Sequence, residues 1–292
     1  MLHEWQVKLN YPLRELSLRP QGCFALNQSR RLPLADYSLY CLPRISTLSN
    51  FEGEDSPQKT AEHFALLSLQ AKALVAAIAP QGDWMAIAQA EIDSQPMNHS
   101  TTFQVLKLPG SPTLQSTIGC PVPSQIIILD NRYGLAIFLP EAAKESQSSG
   151  TIFQLFNRRG HFLSSLTLPS ALQQITLSGT SSYRLLGIEQ HDSTLGLLID
   201  LQPFKVTRIA LDIAPAFVLA TPWGYILADH HSQVVLLDQE GQRIGSFEIP
   251  GTPTIANHQL TAIAAFDRSG LLIATWAEQE GVLYTLDLQN YV

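Results

Sequence analysis

One pattern constrains this chain more than any other: an apolar strand, a tight polar turn and a second apolar strand recur along its length. The segments read SLRPQGCFALN from Ser17, AIAPQGDWMAIA from Ala77, ILDNRYGLAIFL from Ile128, TLSGTSSYRLLGI from Thr176, LATPWGYILA from Leu219 and AAFDRSGLLIAT from Ala264. Glycines fall in or beside the turns, at Gly22, Gly82, Gly134, Gly179, Gly224 and Gly270. Glycine supplies the positive φ angles that short hairpins need. A second hairpin follows each of the first five pairs. YSLYCLP runs into ISTLSNF after Arg44, and TTFQVLKL turns at Pro109-Gly110. TIFQLFN turns at Arg159-Gly160, LGLLIDL at Gln202-Pro203 and QVVLLDQ at Glu240-Gly241. The unit is therefore four strands, repeated at the few-tens-of-residues period of radial β arrays.

The last unit has three strands only, LTAIAAFDRSG, LLIATWAE and GVLYTLDL. The strand it lacks stands at the other end of the chain, at Trp5–Leu9, ahead of the first repeat. Pairing the two ends closes a ring and removes an exposed edge. The expectation is an all-β fold: one six-bladed β-propeller domain over residues 1–292, closed by the N-terminal strand. Seven blades would need a further unit between Asn50 and Ala73. Within that interval Ser56 and Pro57 read as a helix start, and the Ala-, Leu-, Gln- and Lys-containing run after them predicts a short inserted helix near 57–72. The alternative reading of HFALLSL is an extra strand.

AIAPQGDWMAIAQAE resembles the inner hairpin of a WD40-type blade. QVVLLDQEGQRIGSFEIP is similar to the outer hairpin of quinoprotein-like propellers of the YVTN/NHL type. The blade-ending Trp-Asp dipeptide is absent, and the single Gly-His pair, Gly160-His161, lies in an outer hairpin. The resemblance implies a divergent WD40-like superfamily member. It also implies that links between blades, and between second and third strands, share a top face.

On that strand order the longest links are top links, and they carry carboxylates. The candidate partner-binding residues are Glu52, Glu54, Asp55, Glu91, Asp93, Glu141, Glu145, Asp192, Glu278 and Glu280, with Glu189 beside them. Loops are where binding residues collect on a rigid scaffold. The bland alternative is that charge gathers in solvated loops.

Net charge is −7, with 15% charged residues against 45% hydrophobic. An acidic chain is repelled by phosphate backbones, so the expected partner is a protein with a basic surface and not nucleic acid. Three cysteines, Cys23, Cys41 and Cys120, form neither a disulfide framework nor a zinc pattern. With no signal peptide or spanning segment in sight, the expected setting is cytoplasmic.

Catalytic signatures are missing: no Gly-x-Ser-x-Gly, no His-Glu-x-x-His and no phosphate-cradling loop. The expected role is thus a non-enzymatic interaction scaffold without catalytic residue, metal or cofactor. The alternative is a calcium-dependent, lactonase-like hydrolase with its site in the central channel. Glu15, Gln125 and Gln174 are its candidate channel-lining groups. Asp229-His230-His231 is the densest ligand cluster, but neighbouring strand residues face opposite ways and no third histidine has metal spacing. His99, His191 and His258 lie on links. Trp84, Tyr133, Trp223 and Tyr225 sit beside first-to-second-strand turns, where rings either wedge between blades or anchor a partner. Trp276 ends the last second strand.

Overall fold

A computed structural model describes residues 6–9, 13–19, 22–29, 35–42, 64–71, 74–90, 101–107, 111–118, 122–139, 150–249, 259–266, 270–277 and 280–288. Strand β1 (Gln6–Leu9) comes first. Sheet I follows, built from β2 (Leu13–Arg19), β3 (Gly22–Ser29), β4 (Ala35–Leu42) and β5 (Phe64–Ala71). Sheet II holds β6 (Leu74–Ile78), β7 (Trp84–Ala90), β8 (Thr101–Lys107) and β9 (Ser111–Ile118). Sheet III holds β10 (Gln125–Ile128), β11 (Tyr133–Phe138), β12 (Thr151–Asn157) and β13 (Phe162–Leu168). Sheet IV holds β14 (Leu172–Leu177), β15 (Arg184–Glu189), β16 (Leu195–Leu201) and β17 (Phe204–Ala210). Sheet V holds β18 (Phe217–Thr221), β19 (Gly224–Ala228), β20 (Gln233–Asp238) and β21 (Arg243–Glu248). Sheet VI joins β22 (Gln259–Phe266), β23 (Gly270–Ala277) and β24 (Glu280–Asp287) to β1.

The chain ends meet as the three-strand deficit requires. β1 runs antiparallel to β24 with Gln6 opposite Tyr284, Val7 opposite Leu283, Lys8 opposite Val282 and Leu9 opposite Gly281. Sheets I to V are antiparallel meanders whose first strand lies innermost, and in sheet VI β22 is innermost and β1 outermost. Innermost strands of neighbouring sheets stand side by side, β6 with β10, β14 with β18, β18 with β22 and β22 with β2.

The predicted helix near 57–72 is overturned, because Phe64–Ala71 is the fourth strand of sheet I. Ala and Leu favour helix in isolation, but propensity yields where a sheet edge offers a ladder. The interval that a seventh blade needed therefore supplies an outer strand instead. ISTLSNF, the expected fourth strand, lies outside the described residues, and no helix occurs among those that are described.

The middle strands are covered on both faces and read as continuous apolar runs. Every residue of β19 is buried. Cores form between sheets. Trp84, Ala86, Phe103 and Val105 of sheet II pack with Ile126, Ala136 and Phe156 of sheet III. Leu186, Ile188 and Leu198 of sheet IV pack with Tyr225, Leu227 and Val235 of sheet V.

Candidate functional site

Innermost strands line a central cavity of about 830 Å³. Among the described residues its wall comes from β6, β10, β14, β18 and β22 together with the segments that flank them. Ile78, Ile126, Ile175, Val218 and Ile263 make much of the barrel, and Ser178, Thr180, Ser181 and Ser182 line one end. No lining residue among those described carries a charge. Glu15 lies on β2, opposite Leu26 of β3.

Gln125 and Gln174 do line the cavity, and both reach across to a neighbouring sheet. Gln125 Nε2 donates to the Ile175 carbonyl at 2.7 Å. Gln174 Nε2 donates to the Ala216 carbonyl, just ahead of β18. Neighbouring sheets share no backbone ladder, so these amides supply hydrogen bonds that the backbones do not make for one another. In this structure both amides join neighbouring sheets. Just ahead of Glu15, Gln174 and Ala262 the innermost strand carries an extra residue against its partner. Such bulges re-aim side chains at a strand end.

The far ends of the sheets are tied by side chains in turns. Arg158, between β12 and β13, pairs with Asp83, between β6 and β7, at 2.9 Å. Tyr183 Oη donates to Asp130 Oδ2 at 3.4 Å, and its pKa rises through burial and then through that carboxylate. Gln239 Oε1 accepts from Ser178 Oγ and Thr180 Oγ1, both at 3.1 Å. Gln239 Nε2 donates to the Pro222 carbonyl at 3.2 Å. The sequence reading missed these links. The one signal available was a polar side chain recurring in each turn.

Asp229-His230-His231 is a turn. Asp229 Oδ1 accepts from the backbone amides of His231 at 2.8 Å and Gln233 at 2.9 Å. Asn157 does the same for Arg159 and His161, and Asp238 for Glu240 and Gln242. The fourth residue of each turn has positive φ: Gly160 at 79°, Gly241 at 81° and Ser232 at 71°. One five-residue turn is thus used three times, and the side-chain oxygen of its first residue, Asp or Asn, is its keystone. His230 meets the Phe217 ring edge-on, with centroids 6.0 Å apart. Among the described residues no three His, Cys, Asp or Glu side chains gather in a metal-binding group.

Of the ten candidate partner-binding residues, Asp192 alone has a described side chain. It is exposed between β15 and β16, accepting from the Thr194 amide at 3.0 Å and from the Thr194 hydroxyl at 2.5 Å. Those bonds hold its carboxyl below the usual range. Glu280 opens β24. Glu52, Glu54, Asp55, Glu91, Asp93, Glu141, Glu145 and Glu278 lie outside the described residues, as do His99 and His258. Topology still corrects one grouping. Glu52, Glu54 and Asp55 belong to the link between β4 and β5, third to fourth strand, so that link leaves the opposite end of its sheet from the second-to-third-strand links. Glu189 is no rim acid either. It ends β15, largely buried, and pairs with Arg208 of β17 at 3.3 Å.

The turn aromatics wedge between sheets. Trp84 and Tyr225 are wholly buried, and burial pushes the Tyr225 pKa up. Tyr133 and Trp223 pack against the neighbouring intersheet cores. Trp276 covers Gly281, where an added Cβ would come within 2.6 Å of its ring.

Successive four-stranded meanders around one channel, with the first strand completing the last sheet, define a β-propeller. No family model and no curated protein matches the chain. Among solved structures it is similar to BamB from Moraxella catarrhalis, at 13% identity over 93% of this chain and 82% of that one, with a TM-score of 0.46. It is also similar to the Pan2 WD40 domain from Neurospora crassa, at 12% identity over 75% of this chain and 64% of that one, with a TM-score of 0.47. The propeller assignment rests on the sheet order and not on these likenesses. No helix among the described residues is long and apolar enough to cross a membrane.

Proposed function

We propose that the chain is a non-enzymatic platform for protein interaction, and that its partner brings a basic surface to the second-to-third-strand links. The carrying observation is where the carboxylates fall in the topology. Glu91 and Asp93 lie between β7 and β8, Glu141 and Glu145 between β11 and β12, Asp192 between β15 and β16, and Glu278 and Glu280 at the β23–β24 turn. These four links are equivalent in their sheets and leave from corresponding ends. Glu52, Glu54 and Asp55 leave from the other end and form no part of the proposed surface. A net charge of −7 favours a basic protein over a nucleic acid. The hydrolase alternative gains no carboxylate from the described channel lining.

The test begins with crosslinked capture from the native host and proceeds to kinetics with the captured protein. Neutralising Glu91, Asp93, Glu141 and Glu145 to their amides is expected to slow association several-fold at low salt, with little change in dissociation. Unchanged association in that variant would defeat the proposal. So would a partner whose association rate ignores salt.

A further inference from the structure

We propose that β17 is a docking edge, at which an extended acidic segment of a partner protein adds to sheet IV as a fifth strand. This surface is separate from the acidic links and opposite to them in charge, and it does not rest on the function proposed above.

The observation is a contrast among the six outer strands. Each pairs on one side only, and such an edge invites a further strand unless something blocks it. Four of them carry one extra residue against their partner: Leu66 in β5, Thr113 in β9, Leu163 in β13 and Ile244 in β21. A bulge twists the edge and interrupts its repeat of outward groups. β9 adds a proline, Pro112. β1 is only four residues long. β17 has none of these devices. Its seven residues pair with β16 in unbroken register from Ala210 opposite Leu195 to Phe204 opposite Leu201.

The reason lies in the hairpin. β13 and β21 follow the five-residue turn with Gly160 or Gly241 at positive φ, whereas β17 follows the bare Gln202-Pro203 turn. The phase of the ladder is fixed by Leu211, whose amide donates to the Thr194 carbonyl at 2.7 Å. Counting back by two, Ile209, Thr207 and Lys205 bond to β16. Phe204, Val206 and Arg208 then direct N–H and C=O outward. Phe204 is 51% exposed and Val206 36%, so the free edge also offers apolar contact.

Charge selects the occupant. β17 carries Lys205 and Arg208 and no carboxylate, although the chain as a whole is acidic. Lys205 has no ion-pair partner among the described residues, and the Arg208 side chain is 68% exposed beside Glu189. A second copy of β17 would set cation against cation, which disfavours pairing. An extended strand bearing carboxylates meets both charges, while its backbone takes the outward groups. Strand addition of this kind draws affinity from main-chain hydrogen bonds and specificity from alternate side chains.

The test is fluorescence anisotropy of the whole chain with two labelled probes: a short peptide repeating Val-Val-Glu-Glu, which sets carboxylates on both faces of a strand, and its Val-Val-Lys-Lys counterpart. The acidic probe is expected to bind at least tenfold more tightly. Val206→Pro removes an outward donor while leaving the β16 ladder intact, and should weaken binding tenfold or more. Ser246→Pro, at an outward position of the bulged β21, should not. Lys205→Glu keeps every backbone group and should erase or reverse the preference between probes. Circular dichroism melts accompany each variant. If Val206→Pro fails to fold, Lys205→Glu decides alone. Equal binding of the two probes overturns the proposal, as does undiminished binding by folded Val206→Pro. Concentration-dependent dimers in sedimentation that vanish in Val206→Pro would make the occupant a second copy and overturn it too.

Discussion

β19 and β17 lie in adjacent sheets and are both short antiparallel strands, yet every residue of β19 is buried while Ile209 alone is buried in β17. β19 is the second strand of its sheet and is flanked by strands on both edges and by neighbouring sheets on both faces. β17 is the fourth strand and meets solvent along one edge. Position in the sheet, and not strand type, sets what each side chain is for. Inner strands hold the ring, and outer strands are where the surface is free to vary.

The most severe test of that division is β1, an outer strand drawn from the far end of the chain. Deleting residues 1–10 should leave one edge of β24 unpaired, and should cause aggregation or loss of cooperative melting, read by size-exclusion chromatography and calorimetry. A truncated chain as monomeric and as stable as the parent would mean that this outer strand does no more than β17 does.

Within the intact ring, Trp84→Ala should lower stability by about 3–5 kcal/mol in urea unfolding, because the ring is buried between sheets II and III. Phe204→Ala should change it by no more than about 0.5 kcal/mol. Similar values for the two would erase the contrast. Gln239→Ala belongs between them, at about 1–2 kcal/mol, since it removes the acceptor that Ser178 and Thr180 share. Arg158, whose guanidinium pairs with Asp83, is likewise structural, so Arg159 and Glu240 make the better neutral controls in binding work.

Alkaline pH probes the closing sheet. The Tyr284 hydroxyl on β24 is buried with no hydrogen-bond partner among the described residues, and burial pushes its pKa up to about 12. A raised pKa stabilises the fold fully below the unfolded value near 10 and loses that contribution as pH climbs to about 12. Melting temperature should therefore fall across that window, and Tyr284→Phe should flatten the fall. The smallest effect expected is at Ser232, which holds a φ of 71° that glycine adopts without strain. Ser232→Gly should raise stability by a few tenths of a kcal/mol, about the surplus of relieved strain over added chain entropy.

The ring was legible in the sequence because its signals are local or arithmetic: tight turns between apolar runs, and one strand missing at one end and spare at the other. β5 was not legible. Ser56, Pro57 and an Ala-Leu run speak for helix, and only the vacant edge beside β4 makes Phe64–Ala71 a strand. Asp229-His230-His231 stood out as a ligand cluster because histidine is conspicuous. The informative residues were Asp229 and Ser232, which match Asp238 and Gly241 in the same turn. Gln125 and Gln174 were found as channel residues, but their acceptors lie in the neighbouring sheet, and no spacing along the chain reports that. The β17 edge was hidden for a similar reason, since a missing bulge becomes visible only when registers are compared.

The union of β1 with β24 also imposes an order in time. The ribosome makes Gln6 long before Tyr284, and those two residues must end up opposite one another. Every other sheet draws its strands from one stretch of chain and can assemble as that stretch emerges, whereas sheet VI waits for both ends. During elongation β1 is a strand without a partner, held open while the other sheets take shape. Its closure is the longest-range strand pairing among the described residues and bears the largest loop entropy of those pairings. Newly made chains should therefore be most exposed to wrong pairing just before β24 arrives, at the point where a β1 from a neighbouring chain could take the place of their own.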